Sequence, residues 1–113
     1  MIRVEIPGLR LVSEANERGA WFAGAKRAAD QRRVVGLVLR PRRPPPLPCI
    51  VRIVRVAPCA LDVGDNLSRA AKAVRDEIAA WLGVDDGDDS VRWEVRGEVA
   101  RGYAVRITIE GGL

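Results

Sequence analysis

The sequence predicts a single α+β domain over residues 1–113, a mixed sheet with two helices packed on it in the order β-α-β-α-β-β. Two patterns carry this expectation. Some short stretches alternate apolar and polar residues, as a half-buried strand does, and some longer ones return an apolar residue every three or four positions, as a helix does. Chain length is the third observation: 113 residues suffice for one two-layer core and not for two.

The elements follow in order. Residues 2–6 place Ile2, Val4 and Ile6 on one face of a strand that Pro7-Gly8 ends. Ser13 or Asn16 is suited to cap a first helix running to Leu39, with Trp21, Ala25, Ala28, Val35 and Leu39 at helical spacing. The run Arg40-Pro41-Arg42-Arg43-Pro44-Pro45-Pro46-Leu47-Pro48 excludes helix, because proline lacks the backbone donor and fixes φ. It reads as a stiff basic connector from the first helix to the next strand. Residues 50–57 are rich in β-branched side chains and form a strand interrupted by Arg52 and Arg55. A second helix spans 65–82, with Leu67, Ala71, Val74, Ile78 and Trp81 on its core side and Gly83 as its stop. Residues 91–96 and 103–109 alternate most cleanly, and Gly97 and Gly102 bracket a turn expected to join them as an antiparallel hairpin.

Composition narrows the chemistry. No histidine is present, so the commonest general base is missing, and two cysteines are too few for a Cys/His zinc site within one chain. Cys49 and Cys59 read as buried thiols in or beside a strand. Hydrolytic chemistry would rest on carboxylates, lysine or a metal. No apolar run approaches the roughly 20 residues that span a bilayer, and the expectation is a soluble, cytoplasmic protein. Residues 1–61 carry 12 Lys/Arg against 4 Asp/Glu, and residues 62–113 carry 7 against 11. A basic half joined to an acidic half suits a phosphate-binding surface around a cation site, and equally a dipolar domain of no special function. Arginine outnumbers lysine 17 to 2, which suits phosphate recognition but is also what a GC-rich coding sequence produces.

The informative segment is LDVGDNLSRAAKAVRDEIAAWLGVDDGDDS, residues 61–90. Asp65, Arg69, Lys72 and Asp76 form a stripe opposite the apolar face of the second helix. Taken alone, that stripe reads as a solvated face with i,i+4 ion pairs. Asp65 also has a plain structural use as a helix N-cap. Asp85, Asp86, Asp88 and Asp89 surround Gly87 without the spacing of a calcium EF-hand. Four aspartates within five residues repel one another unless solvent or a cation relieves them. Brought beside Asp62 and Asp65, they would offer hard oxygen ligands suited to Mg²⁺.

With Asp65-Asn66-Leu67, then Lys72-Ala73-Val74-Arg75-Asp76, then Val84-Asp85-Asp86 ahead of a strand, the chain resembles RusA-like Holliday-junction resolvases, often encoded by phages and prophages. That family carries D-x-D-N-L, a K-A-x-x-D helix, and a hydrophobic-D-D pair. The resemblance implies a Mg²⁺-dependent endodeoxyribonuclease, with Mn²⁺ as a substitute, serving DNA recombination and repair. It would act as a homodimer on four-way DNA junctions. Asp65 and Asp86 correspond to metal-binding catalytic carboxylates. The family's first aspartate falls on Val63; Asp62 stands one residue earlier, behind a bend that Gly64 permits. The family's lysine position, four after Asp65, holds Arg69, whereas Lys72 has the matching local context one turn further along the same face. The expected set is therefore Asp62, Asp65, Lys72 and Asp86, with Arg69, Lys72, Arg42 and Arg43 toward the DNA backbone. Two competing expectations are a junction-binding module whose catalysis is lost, and a phage accessory protein with a decorative acidic loop.

Overall fold

The computed structural model describes residues 1–12, 21–61, 65–85 and 87–112, with the backbone alone at 21–24 and 65. The elements are β1 (Ile2–Pro7), α1 (Trp21–Leu39), β2 (Cys49–Ala57), α2 (Asp65–Ala70), α3 (Lys72–Leu82), β3 (Val91–Val99) and β4 (Ala104–Gly111). The fold is α+β, a four-stranded mixed sheet with its helices on one side. The expected caps Ser13 and Asn16 lie outside the described residues. The second helix is not one unbroken element: a turn at Ala71, still right-handed at φ −91°, ψ −2°, separates α2 from α3. No proline or glycine marks the break. Hydrogen bonds from Ala71 N–H to Leu67 O and from Arg75 N–H to Ala71 O bridge it. Gly83 then ends the run at φ +79°, where an L side chain is strained, and donates to Ala79 and Ala80 carbonyls.

The strand order is β1-β4-β2-β3, with β4 antiparallel to both neighbours and β2 parallel to β3. This corrects the expected hairpin of β3 with β4. The two strands flank β2, and the chain passes over the carboxyl end of β2 between them, where Ala100 N–H donates to Ala57 O and Gly8 N–H to Tyr103 O. The reason lies in β2, whose Val51 and Ile53 are buried on one face and Val56 on the other. A strand apolar on both faces is the one that belongs in the middle of a sheet.

The core forms between the sheet and the helices. Register brings Ile109, Val51 and Trp93 into one row and Val4, Ile107, Ile53 and Val95 into the next. Val35 and Leu39 of α1, and Leu67, Ala71, Val74 and Ile78 of α2–α3, close over these rows. Ala25, placed on the core stripe by periodicity, is exposed. Fully burying one such Ile or Leu is worth about 1.5–3 kcal/mol. Gly111 lets the proline connector lie against β4, since a Cβ there would meet Pro45 Cβ at 2.5 Å and Pro46 O at 2.6 Å. Gly112 N–H donates to the carbonyls of Pro46 and Pro48, tying the connector to the end of the sheet.

The opposite face of the sheet is a lattice of charges. Arg52 contacts Glu94 at 3.0 Å and Glu110 at 3.7 Å, Arg96 contacts Glu94 at 3.8 Å, and Arg106 bonds Glu98. The basic and acidic halves of the chain are thus not two regions of the molecule. Strands of the first and second halves alternate in the order β1-β4-β2-β3 and mix their charges.

Candidate metal and nucleic-acid site

β2, the α2–α3 run and β3 form a parallel crossover, which carries Arg69 and Lys72 and opens its helix at Asp65. α2 opens at Asp65, after the carboxyl end of β2. The acidic turn follows Gly83 and leads into Val91, which pairs with Cys49 at the amino end of β2. With about 1.5 Å of rise per residue, the run from 65 to 82 is about 26 Å long. Mg²⁺ holds its oxygens at about 2.1 Å. The helix start and the Asp85 end of the acidic turn therefore stand at opposite edges of the sheet, and α2–α3 does not fold them into one pocket within a chain. Among the described residues no group of three Asp, Glu, Cys or His side chains gathers as a metal shell. Asp62, Asp86 and the Asp65 side chain lie outside the described residues.

Between the two ends the helical run presents cations. Arg69 and Lys72 are exposed, and Lys72 Nζ donates to Asp76 Oδ2 at 3.3 Å, an i,i+4 pair of the kind a solvated helix face carries. Lys72 nevertheless borders two depressions. One, of about 330 Å³ against α1, is floored by Ala28, Ala70 and Ala73 and rimmed by Arg32, Arg69, Lys72 and Asp76. The other, of about 260 Å³, is lined by Ser68, Arg69, Lys72 and Arg75. Arg75 lies over the ring of Trp93 on β3, 4.9 Å from its centroid, which holds the guanidinium against the sheet. Among the described residues, four cations, Arg32, Arg69, Lys72 and Arg75, surround one stretch of helix, with Asp76 beside Lys72 and Glu77 3.7 Å from Arg32.

At the other edge, Asp85, Asp88 and Asp89 are exposed. Asp88 has a structural occupation: Oδ1 accepts from Ser90 N–H at 2.8 Å and Ser90 Oγ–H at 2.6 Å. These bonds hold its carboxyl below the ordinary carboxylate range. Asp88 N–H bonds Asp85 O and Val91 N–H bonds Asp88 O, which fixes the turn at the entry to β3. Arg42 and Arg43, both exposed, belong to the connector entering β2 at this same edge, and Trp81 Nε1–H donates to Arg42 O at 3.2 Å.

Arg55 is the residue that sequence reasoning underused. It is only 5% exposed, and its Nε and Nη1 donate to Leu11 O and Cys59 O, each at 2.6 Å. It clamps the segment after β1 to the loop that leaves β2. A signal was present: Arg52 and Arg55 differ in parity, so a single strand must turn one of them toward the core. Gln31 is similarly buried, bonding Arg10 O at 2.8 Å. Cys49 is buried as expected, with its thiol pushed up by desolvation, but Cys59 is exposed because it lies beyond the end of β2.

No family model matches the chain, and no curated protein matches it. No helix among the described residues is long and apolar enough to cross a membrane.

Proposed function

We infer that this chain is a Mg²⁺-dependent endodeoxyribonuclease that cuts four-way DNA junctions as a homodimer. The observation that carries the reading is the order of groups along one crossover. An aspartate opens α2 at the carboxyl end of β2, Arg69 and Lys72 are exposed on the next turns, and an acidic turn precedes the neighbouring parallel strand. That order matches the D-N-L, K-A-x-x-D and hydrophobic-D-D elements of the resolvases the sequence resembles. Since one chain separates its helix start from its acidic turn by about 26 Å of helix, the carboxylates are shared between protomers. Asp62 and Asp65 come from one and Asp86 from the other.

In that arrangement Asp62, Asp65 and Asp86 would hold Mg²⁺, which would supply an activated water and offset charge on the phosphate. The chain's own contribution is positional. Arg55 holds the loop leading to α2, Lys72 brings a cation to the phosphate, and Arg69 with Arg32 and Arg75 grips the backbone without reading bases. Arg42 and Arg43 extend that grip at the acidic edge. A twofold dimer carries two such sites, as two strands to be cut require.

A second reading, a junction-binding module without catalysis, is favoured by the Lys72–Asp76 pair and by Asp88 serving its own turn. Incubating the protein with a synthetic four-way junction and Mg²⁺ decides between them. Cleavage that disappears in Asp86→Asn supports the nuclease, and tight binding without cleavage selects the second reading. No binding at low salt removes both.

A further inference from the structure

Two depressions open along the α2–α3 run, and Arg69 and Lys72 stand in the walls of both. Their linings differ in kind. The larger, about 330 Å³, lies against α1 and has only the methyl groups of Ala28, Ala70 and Ala73 as its floor, so a planar ring can lie on it. The smaller, about 260 Å³, is lined by Ser68, Arg69, Lys72 and Arg75, a hydroxyl and three cations. Sites for small molecules occupy roughly 300–1,000 Å³ and combine an apolar body with a few placed polar groups. Joined through their common wall, the two depressions have that size and that division.

Two side chains point to what fills them. Gln31 lines the larger depression although it is only 4% exposed. Its Nε2 donates to Arg10 O at 2.8 Å, and its Oε1 takes no hydrogen bond among the described residues. An amide oxygen has two lone pairs to satisfy, and one set in an apolar wall calls for a donor on whatever enters. The other is Arg69. Lys72 is held 3.3 Å from Asp76 and Arg32 3.7 Å from Glu77, whereas Arg69 forms no ion pair among the described residues. Beside Ser68 and Arg75 it suits an anion with several oxygens. A phosphate presents three to a guanidinium fork and its neighbours, where a carboxylate presents two. The ligand is therefore a flat apolar ring with an N–H on one edge and a phosphate at the far end.

We propose that the two depressions form one site for a single unstacked nucleotide. The base lies on Ala28, Ala70 and Ala73 with an edge N–H toward Gln31 Oε1, and the phosphate sits among Ser68, Arg69 and Arg75. Each of the four DNA bases carries an N–H on its pairing edge, so the site takes any of them and selects no sequence. A free nucleoside monophosphate has this chemistry, and so does one nucleotide turned out of a strand. The site goes beyond the nuclease reading: it uses neither the aspartates nor Mg²⁺, and it stands if the chain cuts nothing.

The test is a titration followed by amide nuclear magnetic resonance, without Mg²⁺. Deoxyadenosine monophosphate should shift the Gln31 side-chain amide and the backbone amides of Ala70 and Ala73. It should bind about tenfold more tightly than deoxyadenosine or deoxyribose phosphate, each of which fills one half of the site. Ala73→Leu, which fills the floor, should weaken binding about tenfold, and Gln31→Met, which removes the acceptor, should do the same. Ala80→Leu, exposed and two turns further on, should not. Circular dichroism checks that each variant folds. A short thymidine strand and its abasic counterpart form the second arm. Shifts of the same amides by the thymidine strand, with none from the abasic strand or the mononucleotide, assign the site to a strand-borne nucleotide. Silence of these amides toward both mononucleotide and strand overturns the site. So does deoxyribose phosphate binding as tightly as the nucleotide, or full affinity in Ala73→Leu. Cleavage is not read, so failure here leaves the nuclease reading standing, and a junction left uncut leaves this site standing.

Discussion

If the carboxylates of one site come from two protomers, two individually dead variants must rescue each other. Asp65→Asn removes the helix-start ligand from every site of its own homodimer, and Asp86→Asn removes the turn ligand from every site of its own. Both substitutions keep side-chain shape, so folding and junction binding should persist. In a heterodimer, one site loses both ligands and the other keeps Asp65 from one chain and Asp86 from the other. Random assembly of equal amounts makes half the dimers mixed, each with one intact site of two, so about a quarter of wild-type sites return. The assay is strand nicking of a labelled four-way junction after the two variants are refolded together, with each alone as control. The product should be nicked rather than resolved, because only one strand per dimer can be cut. The quantity behind this expectation is the length of α2–α3, about 26 Å, roughly tenfold the metal–oxygen distance. Activity of the wild type with no recovery in the mixture would refute the shared site.

Other outcomes follow from single contacts. Arg55→Met should lower stability by about 2–4 kcal/mol in urea denaturation, because two carbonyls lose their charged donor. Arg55→Lys should recover part of this, since an ammonium lacks the fork that reaches both Leu11 O and Cys59 O. Thiol titration of the native protein should show one fast group, Cys59, with Cys49 reacting only on unfolding, as its burial and raised pKa require. Asp88 has a lowered pKa, so its contribution to the turn is complete above the unfolded carboxylate value and fades as pH falls through the folded one. The Ser90 amide signal should shift over that acidic range in nuclear magnetic resonance and should not titrate in Asp88→Asn.

Much of the fold was legible in the sequence because period and punctuation are local properties. Alternation marked β1, β3 and β4, a 3.6-residue period marked the helices, and Gly83 stopped α3 where a left-handed residue was needed. The candidate acids and cations were legible as types and spacings. Even their separation was implicit in 18 residues of helix between Asp65 and the turn. The parity of Arg52 and Arg55 announced a buried arginine, though not what it would bind.

What the chain alone left open is what depends on neighbours. Alternation says which face of a strand is buried but not which strand lies beside it, so β3 and β4 looked like a hairpin until β2 came between them. The break at Ala71 has no proline or glycine to foretell it. The charge imbalance between halves dissolved because strand order interleaves them, a consequence of long-range pairing. Whether helix start and acidic turn can meet is likewise a tertiary matter: a parallel crossover holds its two ends at opposite edges of the sheet.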